Sequence, residues 1–341
     1  MAKTSIEWTD AVWNPIRGCS RVSEGCRSCY AERVANRFKG PGMPYEGLIA
    51  KGGQWNGNIK IVEDKLREPL SWIKPRMVFV NSMSDLFHES VPFETIAAIF
   101  SVMSVTTRHT YQILTKRPAR MLEFFDWAID FSYPDFPDDS RIVESWPFQE
   151  EWQPVNSNKG GYDNCGPAIP YKNIWLGVSV EDQKTADERI PLLLKVPAAV
   201  RWISAEPLLE SINLKDIATS LTEIMLPLAG ITWTAFEHET RVTEVHNKLD
   251  WVVVGGETGV NARPMHADWV RTIRDQCAEA GTPFFFKQWG EWGFSVQGAC
   301  FTNAKEKLCL KPGTIAWRTG KKKAGRELDG RTWDEYPERE A

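Results

Sequence analysis

Short runs of apolar, strand-favouring residues recur along the chain, and polar residues follow each one. They are Met77 to Val80, Tyr111 to Leu114, Ile174 to Val178, Arg201 to Ile203, Trp251 to Val254 and Pro283 to Phe286. The runs lack strict alternation, as strands buried on both faces do. Helical patterns separate most of them. Phe93 to Thr107 follows Pro92 and sets Ile96, Ile99, Phe100 and Met103 on one side. Pro118 to Ala128 aligns Met121, Leu122 and Phe125. Lys184 to Lys195 is expected to break or kink at Pro191. Asp268 to Ala280 begins on a capping residue and ends at Gly281. Such alternation predicts an α/β fold with a parallel sheet. The expected architecture is a single (β/α) barrel or partial barrel of about six to seven strands.

Two stretches interrupt the pattern. Residues 126–172 are rich in Pro, Asp, Gly and aromatic residues and read as a long insertion; residues 212–248 read as a second, partly helical one. The expected division is a barrel domain at 1–300 with these insertions, then a basic extension at 301–341.

Polar residues cluster just after the strands: Asn81, Ser82 and Asp85; Thr115, Lys116 and Arg117; Ser179 and Glu181; Ser204 and Glu206; Gly255, Gly256 and Glu257; Lys287, Gln288 and Trp289. In parallel α/β folds the carboxyl ends of the strands form the ligand face, so these residues mark a polar mouth.

The chain has 341 residues, a formal net charge of −4, 16 Trp and seven Cys. No run approaches the roughly 18 apolar residues of a membrane span, and Met1 to Asp10 holds no signal-peptide apolar region. An odd cysteine count over so long a chain argues against a secreted disulfide scaffold, so a cytoplasmic location is expected. Charge is uneven. Asp126 to Lys159 carries eight acidic residues against Arg141 and Lys159, whereas Lys305 to Arg331 carries nine basic residues against three acidic ones. Within the second run, Lys321, Lys322, Lys323, Arg326 and Arg331 offer a nucleic-acid or phosphate footprint, or simply a solvated face.

Three of the seven cysteines lie within eleven residues: Cys19, Cys26 and Cys29, spaced Cys-x6-Cys-x2-Cys. Gly18 and Gly25 each precede a Cys, where a loop must turn tightly, and Cys29 opens a helical pattern through Tyr30, Val34 and Phe38. Soft thiolates select zinc or an iron–sulfur cluster. A closed zinc site needs a fourth Cys or His, and the next candidates, His88 and Cys165, are distant in sequence. A [4Fe–4S] cluster held by three cysteines leaves one iron open to another ligand.

Placed between a first strand and a first helix of a (β/α) barrel, this loop resembles that of the radical S-adenosylmethionine (SAM) superfamily. There the open iron binds SAM, and an electron from the cluster cleaves it to methionine and a 5′-deoxyadenosyl radical. The common spacing is Cys-x3-Cys-x2-Cys with an aromatic before the last Cys; here the first gap is six and Ser28 stands in that place, with Tyr30 following Cys29.

A closer resemblance spans nearly the whole chain. Thr4-Ser-Ile-Glu-Trp-Thr-Asp-Ala-Val-Trp-Asn-Pro, Val80-Asn-Ser-Met-Ser-Asp-Leu-Phe-His, Leu114-Thr-Lys-Arg-Pro and Gly177-Val-Ser-Val-Glu are similar to motifs of a phage and bacterial family of unassigned function. So are Ser204-Ala-Glu-Pro-Leu, Gly255-Gly-Glu-Thr-Gly, Phe285-Phe-Lys-Gln-Trp-Gly and Leu328-Asp-Gly-Arg-Thr-Trp. The resemblance implies a radical-SAM-like barrel with these motifs at its mouth.

By that analogy Cys19, Cys26 and Cys29 ligate the cluster. Asn81, Ser82 and Asp85 meet the amino group of SAM, Lys116 and Ser179 its carboxylate, and Glu181 or Glu206 its ribose. Gly255 and Gly256 admit the adenine or substrate, with Glu257 as anchor, and Lys287 contacts substrate. The expected function is a radical SAM-type iron–sulfur enzyme, acting on an unknown substrate such as a nucleotide or nucleic acid. Its electron donor would be of the flavodoxin or ferredoxin class. Two alternatives stand beside it. One is a zinc-stabilised nucleic-acid-binding or interaction protein without catalysis. The other is a hydrolase or transferase that uses Asp85, Glu181, Glu206 and Glu257 with a divalent metal.

Overall fold

The computed structural model describes residues 4–130, 170–218, 223–236, 239–245, 247–294, 306–311 and 314–338. Most of the first predicted insertion, together with Cys165, Cys300 and Lys305, lies outside the described residues. By chain contacts the protein divides into two compact units. One comprises Met1–Ser20, Ala35–Leu176 and Val196–Val200; the other comprises Arg21–Val34, Gly177–Lys195 and Arg201–Ala341.

In chain order the opening elements are β1 (Ala11–Trp13), β2 (Ile16–Arg17), α1 (Tyr30–Arg37), β3 (Lys60–Ile61), α2 (Glu63–Leu66) and β4 (Met77–Val80). Then come α3 (Phe93–Val105), β5 (Thr110–Thr115), α4 (Pro118–Asp130), β6 (Ile174–Ser179), α5 (Gln183–Lys195) and β7 (Val200–Ala205). After four short strands, β8 (Ile217–Ala218), β9 (Glu223–Leu226), β10 (Ile231–Phe236) and β11 (Glu239–Val245), the pattern resumes with β12 (Trp251–Gly255), α6 (Ala267–Ala280) and β13 (Phe284–Gln288). The chain closes with β14 (Trp292–Phe294), β15 (Lys307–Lys311), β16 (Thr314–Arg318) and α7 (Lys321–Ala324).

One seven-stranded sheet runs in the order β1-β4-β5-β6-β7-β12-β13. β1, β4 and β5 pair in parallel, as do β7, β12 and β13. The fold is α/β, and all six sequence-predicted strands belong to this sheet. Every residue of β6, β7 and β12 is buried, which is why those runs never alternate.

In the first unit the rings of Phe93, Phe100, Phe124 and Phe125 pack α3 against α4. Trp13 and Tyr111 meet under β1 and β5, with ring centroids 6.0 Å apart. In the second unit Trp202, Trp251 and Tyr336 form a row, with centroid spacings of 5.3 and 5.2 Å. Gly177 makes room for it: a Cβ there would lie 2.5 Å from the Trp202 ring. Much of the tryptophan content therefore fills the core.

Three local expectations are corrected. α5 runs through Pro191 without ending. The ring costs about 3 kcal/mol inside a helix, and the burial of Ile190, Leu193 and Leu194 around it offsets that cost. α6 is capped by His266, whose side chain accepts the Asp268 N–H, with Gly281 left-handed at the other end (φ 67°). Residues 212–248 contain an antiparallel sheet, β11-β10-β9-β8, in place of helix.

The C-terminal residues pack against β12 and β13 within the second unit. Phe286 N–H bonds to the Trp333 carbonyl, Glu335 N–H to the Phe284 carbonyl, and Trp251 Nε1 donates to the Glu335 carbonyl. These bonds cover the outer edge of β13. Among the described residues no helix is long and apolar enough to cross a membrane.

Candidate functional site

Cys19 belongs to the first unit, where Gly18 turns the chain with φ +95°. A Cβ on Gly18 would lie 2.1 Å from the Asn58 carbonyl oxygen, and Gly57 N–H bonds to the Cys19 carbonyl. Asn81, left-handed at φ 60°, ties this segment to the end of β4. Its N–H bonds to the Trp13 carbonyl at 2.7 Å, and its Oδ1 accepts the Ile16 N–H. Ser82 donates to Asn14 Oδ1. Asp85 is buried, and its carboxylate accepts from Thr115 Oγ1, the N–H groups of Phe87 and Lys116, and Arg117 Nη1. The Asp85 carboxylate is thus engaged by the protein itself.

Arg117 organises this corner. Besides Asp85 it bonds Glu89, the Ser20 carbonyl and Ser20 Oγ, and its Nη1 stands 4.0 Å from Cys19 Sγ. Burial alone would lower its pKa; Asp85, Cys19 and Glu89 more than offset this and hold the guanidinium charged. His88 is buried, with Nδ1 accepting the Ser90 N–H and Nε2 bonded to Ser20 Oγ at 2.9 Å. Burial and Arg117 push its pKa down, so it rests neutral.

Cys26 and Cys29 belong to the second unit. Cys26 ends a single 3-10 turn, Glu24–Cys26, and Cys29 immediately precedes α1, its carbonyl accepting the Arg33 N–H. Two carboxylate–arginine pairs anchor the turn. Ser23 Oγ donates to Glu181 Oε1 at 2.9 Å, and Arg189 Nη1 meets Glu181 Oε2 at 3.1 Å. Arg263 forks onto Glu257 and also donates to the Glu24 carbonyl at 2.9 Å. Gly25 lies against the buried Glu181, whose Oε1 would be 2.3 Å from any Cβ. Arg21 pairs with Glu32, which raises its pKa, and Cys29 and Cys26 add to the effect. Burial pushes the Cys29 thiol up, and Cys26 and Glu32 reinforce it.

The remaining predicted residues of this unit gather at neighbouring strand ends. Lys287 Nζ lies 3.1 Å from both oxygens of Glu206; Ser204 Oγ donates to Glu206 Oε2, and Ser179 Oγ to the Glu206 carbonyl. Gly255 faces the Glu206 carboxylate, where a Cβ would come within 2.1 Å, and Gly256 approaches the Trp289 carbonyl equally closely. In the C-terminal basic run, Arg326 pairs with Asp334, and Arg331 stacks on Trp333 beside Glu335. Lys322 and Lys323 are exposed on the short α7. Among the described residues no three His, Cys, Asp or Glu side chains are drawn together around a metal position.

Sequence reasoning missed Arg117, Arg189 and Arg263 as partners of Asp85, Glu181 and Glu257, and it did not single out the Arg21–Glu32 pair. The Thr-Lys-Arg-Pro motif held the one available signal, for Arg117.

The family described as "Protein of unknown function (DUF5131)" matches residues 3–337. The chain belongs to this family. No curated protein and no solved structure matches it significantly. Within the DUF5131 match fall all three cysteines and each arginine–carboxylate pair described above.

Proposed function

We propose that this DUF5131 chain is a radical SAM-type enzyme, with Cys19, Cys26 and Cys29 as ligands of a [4Fe–4S] cluster. The cysteine loop carries the reading. All three thiols are half-buried and outside any disulfide, and each stands near a guanidinium: Arg117 for Cys19, Arg21 for Cys26 and Cys29. Soft thiol donors beside guanidinium groups are the chemistry that an iron–sulfur cluster requires of its ligands. Such a cluster would supply one electron for the reductive cleavage of SAM. The chain's own residues do the rest. Glu181 with Arg189, and Glu257 with Arg263, hold the Cys26 turn rigid, and Arg117 neutralises the Cys19 corner. Glu206 and Lys287 present a paired acid and base at the strand ends, with Gly255 and Gly256 allowing close backbone approach.

A zinc-stabilised binding protein is less well served. His88, the nearest His in sequence, has both ring nitrogens engaged by Ser90 and Ser20. A nucleotide or nucleic-acid substrate, a flavodoxin- or ferredoxin-class donor and a reducing, cytoplasmic setting complete the proposal. Anaerobic reconstitution with iron and sulfide tests it. Iron and sulfide in cluster stoichiometry, and release of 5′-deoxyadenosine on adding dithionite and SAM, are expected. C26A should take up no intact cluster. Stoichiometric zinc without iron overturns the reading.

A further inference from the structure

We infer that a cleft at the amino end of β13, within the second unit, binds a small organic cation: an ammonium group carried on an apolar body. The cleft has a volume of about 360 Å³ and lies between the last turn of α6, the start of β13 and the C-terminal segment. Spaces of this size hold small ligands. Arg274, Thr282, Phe284, Trp333 and Glu335 line it, together with the exposed Ala278 and the buried Cys277. The polar residues of the predicted mouth follow the carboxyl ends of the strands, whereas Phe284 opens β13 at its other end. The inference therefore goes beyond the reading above and needs no cluster.

The charges decide the class of ligand. Arg274 brings positive charge, but its Nε and Nη2 meet Asp275 and its Nη1 meets Asp329, so two carboxylates already cover it. Glu335 differs. Its Oε2 accepts the neutral Phe284 N–H at 3.0 Å, and its Oε1 makes no hydrogen bond among the described residues, the exposed Arg331 standing 3.9 Å away. The Glu335 charge reaches the wall of the cleft: burial, and then Glu335, push the Cys277 thiol up to about 12. α6 adds the negative end of its dipole, because its last turn stops at Gly281. The Thr282 side chain is buried, and its Oγ1 has no hydrogen-bond partner among the described residues. Phe284 and Trp333, edge to face with centroids 5.8 Å apart, form the apolar wall. Arg331 and Arg274 already lie over the Trp333 ring, so the charge of the ligand is left to Glu335.

The test is a calorimetric titration of the full-length chain with benzylamine, its uncharged counterpart benzyl alcohol and the anion benzoate. Benzylamine is expected to bind, about tenfold or more tighter than benzyl alcohol. E335Q keeps an acceptor for the Phe284 N–H but removes the charge, and should weaken benzylamine binding about tenfold. A278W, at an exposed helix position, should fill the cleft and abolish binding with the fold intact. No binding of benzylamine, tighter binding of benzoate, or parental affinity in E335Q or in A278W overturns the inference. Should E335Q fail to fold, A278W decides: lost binding supports the inference and retained binding overturns it. The titration is run without iron, so its outcome is independent of the cluster reconstitution.

Discussion

Ser23 Oγ donates to Glu181 Oε1 at 2.9 Å, so the turn that carries Cys26 hangs on a carboxylate just beyond β6. Glu181 is fully buried and Arg189 nearly so. Removing one member of such a pair strands a charge away from water. E181A is expected to destabilise the chain by about 3–5 kcal/mol. S23A, which loses one hydrogen bond to a charged acceptor, should cost about 1.5–3 kcal/mol. Urea unfolding of the three proteins checks the order; an unchanged midpoint for E181A would show the pair to be dispensable.

Gly25 and Gly52 make a paired test of backbone crowding. A Cβ on Gly25 meets the Glu181 carboxylate, whereas one on Gly52 meets nothing within 4 Å. G25A should therefore lose about 1–3 kcal/mol through strain at the turn. G52A should be neutral or gain up to about 1 kcal/mol, because alanine restricts the unfolded chain. Equal stabilities for the two variants would contradict the geometry.

His109 is buried, edge-on to Trp72 and Tyr111. Burial lowers its pKa, with Arg108 adding to the effect. The unfolded chain then binds the proton more readily than the folded one. Stability is present above the unfolded histidine pKa of about 6.5 and is lost as pH falls through the lower folded value. Melting temperatures between pH 8 and pH 5 should fall on the acid side. H109F should flatten that slope in part, since His88 has the same sign. A slope untouched by H109F would remove His109 from the explanation.

Cys277 is fully buried and its thiol is pushed up to about 12 by burial and by Glu335, while Cys309 is exposed. Iodoacetamide at pH 8 should modify Cys309 in the folded chain and reach Cys277 only on unfolding, since the thiolate is the reactive form. Mass spectrometry of peptides from native and urea-treated protein resolves the two. Equal labelling under native conditions would refute the burial of Cys277.

The strands were legible because β4, β6 and β12 are nearly unbroken apolar runs, a pattern set by burial on both faces, and β5 and β7 keep a dense apolar content around Gln112 and Arg201. The sheet at β9 to β11 was not. The signals were present but not read: Ile231 to Phe236 opens by alternating Thr with apolar residues, and Pro227 with the left-handed Gly230 turns the chain from β9 into β10. The polar strand ends were legible as places, but their partners within the protein were not. Glu181 and Glu257 read as ligand contacts, yet Arg189 and Arg263 hold them, and the Arg263 bond to the Glu24 carbonyl crosses 239 positions. No local spacing encodes such a partner. Asp85 and Arg117, 32 positions apart, show the same limit.

Glu335 accepts the Phe284 N–H across 51 residues of chain. During synthesis on the ribosome, β13 must therefore wait with bare N–H and C=O groups until residues 333–335 emerge. Over that interval the nascent protein offers an adhesive strand to any neighbour, and its safe production depends on keeping copies apart until the final segment docks.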